Sequence, residues 1–172
     1  MDSLNRKVRD SIAAFGNLNI EPGLQEMRKG RDTLPLNLSW VSDYDGLFTA
    51  QQAKSLATVL TDFEKKTSIE IIILTVDSTM VSRSQFDNYV TATGNKWGVG
   101  KAGKNNGIII GICNDIRQIR ISNGLGIEKV LSDAETKQII TEDFIPFFRD
   151  GKYYEGVLNG MKALMRMLET KL

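Results

Sequence analysis

The chain has 172 residues, enough for one domain with a substantial hydrophobic core. Its 22 basic and 21 acidic residues nearly cancel and form no block of like charge, which argues against a nucleic-acid partner held by a basic face. The absence of histidine excludes Ser-His-Asp and Cys-His catalysis, and the single cysteine, Cys113, lies in an apolar run typical of a buried strand.

The first 39 residues differ from the rest and are predicted to form an N-terminal arm. Four apolar residues between Leu4 and Phe15 are spaced for a short amphipathic helix, and the irregular segment 17–38 contains two prolines and two glycines. We therefore expect one α/β domain over residues 40–172, preceded by an arm over residues 1–39.

The first half of this domain is predicted to alternate helix, strand and helix. Thr49 and Gln52 form a capping box, and apolar residues follow at helical spacing, so a helix is expected over about 49–66. The apolar run 69–76 predicts a buried strand, and a second helix is expected over about 84–93.

The segment 94–107 holds five of the 15 glycines and is the first candidate for a binding loop, since glycine lets a ligand approach the backbone closely. Its spacing partly matches dinucleotide and P-loop motifs. Those motifs need a strand before the glycines and a helix after them, whereas here the order is reversed, so we expect no nucleotide. The candidate binding surface comprises Trp97, Gly98, Gly100, Lys104, Asn105 and Gly107, together with Gly124 and Gly126 from later in the chain.

Two strands follow the loop and complete the predicted sheet. The run 108–113 is apolar throughout, a turn follows at Asn114-Asp115, and the run 119–122 alternates apolar with polar residues. A right-handed crossover would make the first two strands parallel, and the third would pair as a hairpin. The fold class is therefore α/β, a three-layer α-β-α sandwich with a small mixed sheet and helices on both faces.

The C-terminal part is predicted to be helical. Ser132 and Glu135 form a second capping box, and Pro146 should kink or end the helix that begins there. After residue 151, apolar residues at helical spacing over 154–168 predict a long amphipathic helix packed on the sheet.

Polar residues gather at both ends of the predicted sheet and supply only oxygen ligands, which suit calcium or magnesium; we expect no zinc and no haem. Ordinary turn and capping chemistry would explain the same residues equally well. The candidate metal ligands are Asp43, Asn106, Glu128 and Asp133, although the predicted topology places the segment of Asp43 at the other end, with the alternative set of Asp45, Asp77 and Asp115.

Several motifs in this chain are similar to those of one family. They are Val41-Ser42-Asp43, Trp97-Gly98-Val99-Gly100, Asn106-Gly107, Arg117 with Arg120, Gly124-Leu125-Gly126-Ile127-Glu128, Leu131-Ser132-Asp133 and Pro146-Phe147. In this order they resemble the TPM domain, which is named for a thylakoid-lumen phosphatase, a photosystem II repair protein and a modulator of acetylcholine-receptor channels. The resemblance covers about 40–168 and implies an α/β sandwich, divalent-cation binding and an acid phosphatase activity.

Three hypotheses remain open at this stage. The first is a cation-binding module that presents its loop to a protein partner, the second a metal-dependent phosphatase with unknown catalytic residues, and the third a structural interaction domain. No apolar run is long enough to span a membrane, and no secretory signal opens the chain. We therefore expect a soluble monomer, although relatives are commonly exported or membrane-anchored.

Overall fold

A four-stranded mixed sheet lies at the centre of the computed structural model, which describes residues 33–172. The first three strands are parallel, and the last pairs antiparallel with the third. In sheet order the strands are β1 (Val41–Asp43), β2 (Glu70–Thr75), β3 (Gly107–Cys113) and β4 (Gln118–Asn123). The predicted parallel crossover and hairpin are confirmed, and β1 adds a fourth strand that was not predicted.

Helices account for most of the remaining described chain. They are α1 (Ala50–Thr67), α2 (Phe86–Trp97), α3 (Leu125–Glu128), α4 (Asp133–Ile139), α5 (Ile145–Arg149) and α6 (Tyr153–Glu169). Both predicted capping boxes are present, at Thr49 for α1 and at Ser132 for α4. The second predicted helix ends four residues later than expected, so the glycine-rich loop begins at Gly98, which ends α2 in a left-handed conformation.

The helix that starts at α4 changes geometry ahead of Pro146. Residues Ile140–Phe144 form a π-helical segment, and α5 begins directly after it, with Pro146 in its first turn. Proline lacks an N–H, and its ring crowds the carbonyl four residues earlier, so the regular hydrogen-bond ladder cannot continue through it. The prediction that Pro146 interrupts this helix is confirmed.

Each face of the sheet packs against its own set of helices, which confirms the three-layer arrangement. On one face, strand residues such as Ile73 and Ile110 pack against α1 and the C-terminal helices. On the other face, Leu74 and Ile109 pack against α2. Gly111 allows this second contact to be close, because a Cβ there would lie 2.3 Å from a methyl group of Val90.

Cys113 ends β3 within the second of these cores and has no exposed surface. Burial raises the pKa of its thiol to about 11, and the nearby carboxylates of Asp45, Asp115 and Asp77 add to the rise, whereas a backbone hydrogen bond involving Ile116 opposes it. The side chain is therefore a protonated, buried thiol, which agrees with its position in an apolar strand.

The described end of the N-terminal arm lies along α2. The indole N–H of Trp97 donates to the carbonyl of Pro35 at 2.8 Å, the hydroxyl of Tyr44 donates to the carbonyl of Leu36 at 2.7 Å, and Leu34 packs into the core beneath α2. The amphipathic helix predicted between Leu4 and Phe15 lies outside the described residues. Trp97, predicted to belong to a binding surface, thus holds the arm against the domain.

Candidate functional site

The parallel strands place acidic residues at one end of the sheet. Asp43 ends β1, Asp77 follows β2, and Asp115 lies in the turn after β3, so the register of the sheet puts all three at its carboxyl end. Asp45 follows β1 by two residues and lies close enough to the other three for their charges to raise its pKa. We call these four residues the acidic cluster.

Asp43 is buried, with 4% of its surface exposed, and organises the loop that carries Asp45. Its carboxylate accepts hydrogen bonds from the backbone N–H of Leu47 at 3.0 Å and of Phe48 at 2.9 Å, and the hydroxyl of Thr75 donates to the same group. Both oxygens are thereby used to hold the turn between β1 and α1. Asp43 is therefore a positioning residue for this loop.

Asp45 has one carboxylate oxygen that lacks a partner. Its Oδ2 is buried and has no hydrogen-bond partner among the described residues, whereas its backbone N–H donates to the hydroxyl of Thr75 at 3.0 Å. Burial raises the pKa of Asp45 to about 6, and the charges of Asp115, Asp77 and Asp43 add to the rise, whereas the backbone amide of Asn114 acts in the opposite direction. An unpaired buried carboxylate oxygen among other carboxylates is a site of unfavourable negative charge.

Asp77 and Asp115 are held by hydroxyl groups that follow β2. Oδ2 of Asp115 accepts from the backbone N–H of Ser78 at 3.0 Å and from its hydroxyl at 2.9 Å, and these bonds lower the pKa of Asp115. Oδ1 of Asp77 accepts from the backbone N–H of Thr79 at 2.8 Å and also from its hydroxyl. The importance of Ser78 and Thr79 was not predicted, although two hydroxyl residues directly after an aspartate are a recognisable turn signal.

The side chains of the acidic cluster are not already arranged around a common point. Across residues 33–172, no group of three or more acidic or cysteine side chains is positioned to hold a metal ion. In the same part of the chain, no lysine or arginine forms a salt bridge with any of the four aspartates. The cluster is therefore a concentration of negative charge that no basic side chain of residues 33–172 neutralises.

The glycine-rich loop at the opposite end is held by its own backbone and by two side chains. The carboxylate of Glu70 accepts from the N–H of Gly100 at 2.7 Å. The amide of Asn106 accepts from the N–H of Lys101 at 2.8 Å and donates to the carbonyl of Ser68 at 2.6 Å. Because its oxygen and nitrogen are both engaged, Asn106 acts as a brace for the loop.

The hairpin brings the second pair of candidate glycines onto this loop, as predicted. The N–H of Gly124 donates to the carbonyl of Gly107 at 2.8 Å, and that of Gly126 donates to the carbonyl of Asn105 at 2.9 Å. A Cβ on Gly126 would lie 2.1 Å from the carbonyl oxygen of Lys104. These glycines therefore permit a close backbone contact between the loop and α3.

Replacing Gly126 by alanine should destabilise the protein by about 2–3 kcal/mol, because the Cβ would meet backbone that cannot easily move. Gly103→Ala is the matched control: that glycine has a φ of +78° but open space around it, so only the left-handed backbone penalty of about 1 kcal/mol applies. Urea unfolding measures both. A loss at Gly126 no larger than that at Gly103 would contradict a structural role for the contact.

The structure does not bring the four first-choice metal ligands together. Asn106 directly precedes β3, and Glu128 and Asp133 lie in α3 and α4 near the same end of the sheet, lining a shared groove. Asp43 lies at the opposite end, because β1 runs parallel to β2 and β3. A strand of six or seven residues separates the two ends by roughly 20 Å. The alternative set of Asp45, Asp77 and Asp115 is the one that shares an end.

The remaining candidates surround the loop without forming a closed site. Lys104 and Asn105 are exposed, with Asn105 in a left-handed conformation at a φ of +49°, and Gly98 and Gly100 also have positive φ. The order of elements around the loop is helix then strand, as predicted. Within residues 33–172, none of the helices combines the length and apolar character that crossing a membrane requires.

Comparison with known proteins finds a matching family and solved structures with a similar fold. A family model of the TPM domain matches residues 41–167. The solution structure of the N-terminal domain of a P. gingivalis protein is 27% identical, covers 85% of this chain and 88% of its own chain, and superposes with a TM-score of 0.70. No match was found among curated proteins.

Two more distant solution structures share the fold alone. The BA42 protein from the psychrophilic bacterium Bizionia argentinensis is 20% identical, with coverage of 73% of this chain and 83% of its own and a TM-score of 0.63. The N-terminal domain of the cg2496 protein from Corynebacterium glutamicum is 12% identical, with coverage of 82% and 85% and a TM-score of 0.58.

Proposed function

The chain belongs to the TPM domain family, and from that premise we propose that it is an accessory module that binds calcium or magnesium at the carboxyl end of its sheet. The ligands are the carboxylates of Asp45, Asp77 and Asp115. Asp43 fixes the loop that presents Asp45. Hard divalent cations prefer such oxygen ligands, and waters complete their coordination.

The observation that carries this proposal is the buried Oδ2 of Asp45, which has no hydrogen-bond partner within the described part of the chain. The negative charges of Asp115 and Asp77 make ionisation of this carboxyl still less favourable, because they raise the pKa of Asp45 further. A divalent cation would remove both penalties at once, since it supplies an electrostatic partner for the oxygen and neutralises the repulsion between carboxylates. Asp77 is only partly buried and Asp115 is exposed, so neither side chain is confined by packing and both have room to turn toward a shared ion.

The test is a titration of chelator-stripped protein with Ca²⁺ and with Mg²⁺, followed through residue-resolved amide shifts. We expect saturable shifts around 43–46, 77–79 and 114–116. Asp45→Asn keeps the shape of the side chain but removes its charge, and should weaken binding at least about tenfold, the effect of losing one charged ligand. Asp62→Asn, at an exposed position of α1, is the matched control and should leave the affinity unchanged.

Two results would count against this site. Saturable shifts confined to 104–107 and 124–133 would move the cation to the glycine-rich end, where Glu128 and Asp133 line the groove. No saturable shift below about 1 mM metal, a concentration at which even weak calcium modules bind, would leave a protein-interaction domain as the function.

The phosphatase hypothesis requires the same bound cation as the accessory-module hypothesis. An activity assay distinguishes the two. A metal-dependent phosphatase must hydrolyse a generic phosphomonoester only when the cation is bound, and must lose that activity in Asp45→Asn. Saturable cation binding without such hydrolysis supports the accessory module. Hydrolysis that persists in chelator would exclude a metal-dependent mechanism.

A further inference from the structure

A cavity of about 440 Å³ lies beside the acidic cluster, between the β3–β4 hairpin and the start of α6. We infer that this cavity binds a small organic anion, with its carboxylate or phosphate group held by Arg117 and Arg149 and its apolar body against Phe148 and Tyr153. The cavity is distinct from the proposed cation site, because none of the four aspartates lines it. Its volume falls within the roughly 300–1,000 Å³ typical of small-molecule sites.

The cavity is lined by two arginines that have no acidic partner in the described part of the chain. Arg117 and Arg149 both line it, and among the described residues neither guanidinium has a carboxylate within salt-bridge distance. Among residues 33–172, no acidic residue lines the cavity, whereas Gln118 does. Two guanidinium groups with an amide nearby are well suited to a planar or tetrahedral anion, which they can bind through paired N–H donors.

The rest of the lining is apolar and partly open. The rings of Phe148 and Tyr153 lie 5.1 Å apart at 44° and form one wall, and Ile119 and Ile145, both half-buried, contribute further apolar surface. The hydroxyl of Tyr153 donates to the side chain of Asn114, which fixes the ring against the hairpin turn. An inorganic anion would leave this wall in water, so the site fits an anion with an aromatic or aliphatic body.

The backbone at Arg117 gives an independent indication that its side chain matters. This residue closes the hairpin turn with a φ of +50°, and its N–H donates to the carbonyl of Asn114 at 3.0 Å. Glycine or asparagine adopts this left-handed conformation at lower cost than arginine does. The turn itself therefore does not call for arginine, and Arg117→Asn should keep or improve the fold while it removes the positive charge.

The experiment compares ligands that share one benzyl group. Phenylacetate, benzylphosphonate and neutral benzyl alcohol are titrated into the full chain in the presence of chelator, with acetate as an anion that lacks the apolar body. We expect saturable amide shifts at 117–119 and 148–153 for one or both benzyl anions, with affinity at least about tenfold higher than for benzyl alcohol or acetate. The tighter of the two anions identifies carboxylate or phosphate as the natural head group.

The variants complete the test. Arg117→Asn and Arg149→Gln should each weaken the binding of the benzyl anions about tenfold, as expected when a charged hydrogen bond is lost. Arg166→Gln, at an exposed position near the far end of α6, should leave it unchanged. Equal affinity for benzyl alcohol, an unchanged affinity in folded Arg117→Asn, or no shift at 117–119 and 148–153 would overturn the inference. The chelator keeps the protein free of metal in this experiment. Whether the anion binds is therefore measured independently of whether the cation titration succeeds.

Discussion

Replacing Asp43 by alanine should lower the free energy of unfolding by about 3 kcal/mol, the largest effect we expect from a single side chain here. The carboxylate satisfies the backbone N–H groups of Leu47 and Phe48 and the hydroxyl of Thr75 in a site that is 96% shielded from solvent. Truncation leaves these donors without an acceptor, and an unsatisfied buried donor costs about 1–3 kcal/mol. Urea unfolding followed by circular dichroism measures the loss.

Asp62→Ala is the matched control for this variant. Asp62 is an exposed aspartate in α1, and its salt bridge to Lys65 at 3.7 Å is solvent-exposed on both sides. Its removal should therefore change the free energy of unfolding by less than about 0.5 kcal/mol. If the two variants were equally stable, Asp43 would not organise the loop between β1 and α1, and the cluster would have to be reinterpreted with Asp43 as a direct ligand.

Calcium affinity should fall about tenfold between pH 7.5 and pH 5, because the pKa of Asp45 is raised to about 6 and its protonated form cannot bind a cation. Burial is the main cause of the raised pKa, and the neighbouring carboxylates add to it. Titrations at several pH values measure the effect. In Asp45→Asn, the pH dependence in this window should disappear, whereas an equally steep dependence in that variant would assign the proton to another group.

In the metal-free protein, the free energy of unfolding should fall as the pH rises, whereas the calcium affinity increases over the same range. Asp45 has a higher pKa in the folded state, about 6, than in the unfolded chain, so the folded state binds more protons between these two values. Its favourable contribution is therefore present at low pH and is lost as the pH rises to about 6. Because the group is only partly buried, we expect a change on the order of 1 kcal/mol, which saturating calcium should cancel.

Most of the sheet and the helices could be predicted because their signals are local. The apolar runs of β2 and β3 and the alternation in β4 give strands directly, and the capping boxes at Thr49 and Ser132 fix two helix starts. β1 was missed because three residues are too few to show a period, and only its pairing with β2 makes it a strand. Pairing between residues 32 positions apart is not visible in a local pattern.

The candidate site could be predicted only in part, because some of its features depend on contacts between residues far apart in the sequence. Parallel strands correctly place Asp77 and Asp115 at one end, with the segment of Asp45 nearby. The first choice of ligands failed as a set because Asp43 was combined with residues from the glycine-rich end. The predicted topology already placed the segment of Asp43 beside Asp77 and Asp115, but most motifs that resemble the family lie at the glycine-rich end and favoured that end for the site. The engagement of Asn106 in the loop also depends on contacts with Ser68, which lies 38 residues earlier.

The buried thiol of Cys113 gives this protein an intrinsic probe of opening. Because it is the sole cysteine and its pKa is raised to about 11, a thiol-labelling reagent at neutral pH should react with it far more slowly than with a free cysteine. Modification then requires a local opening that exposes the buried thiol, so the rate of labelling reports how often this opening occurs. Mass spectrometry after timed alkylation can therefore measure how a cation or a substitution changes the frequency of this opening, with no engineered label.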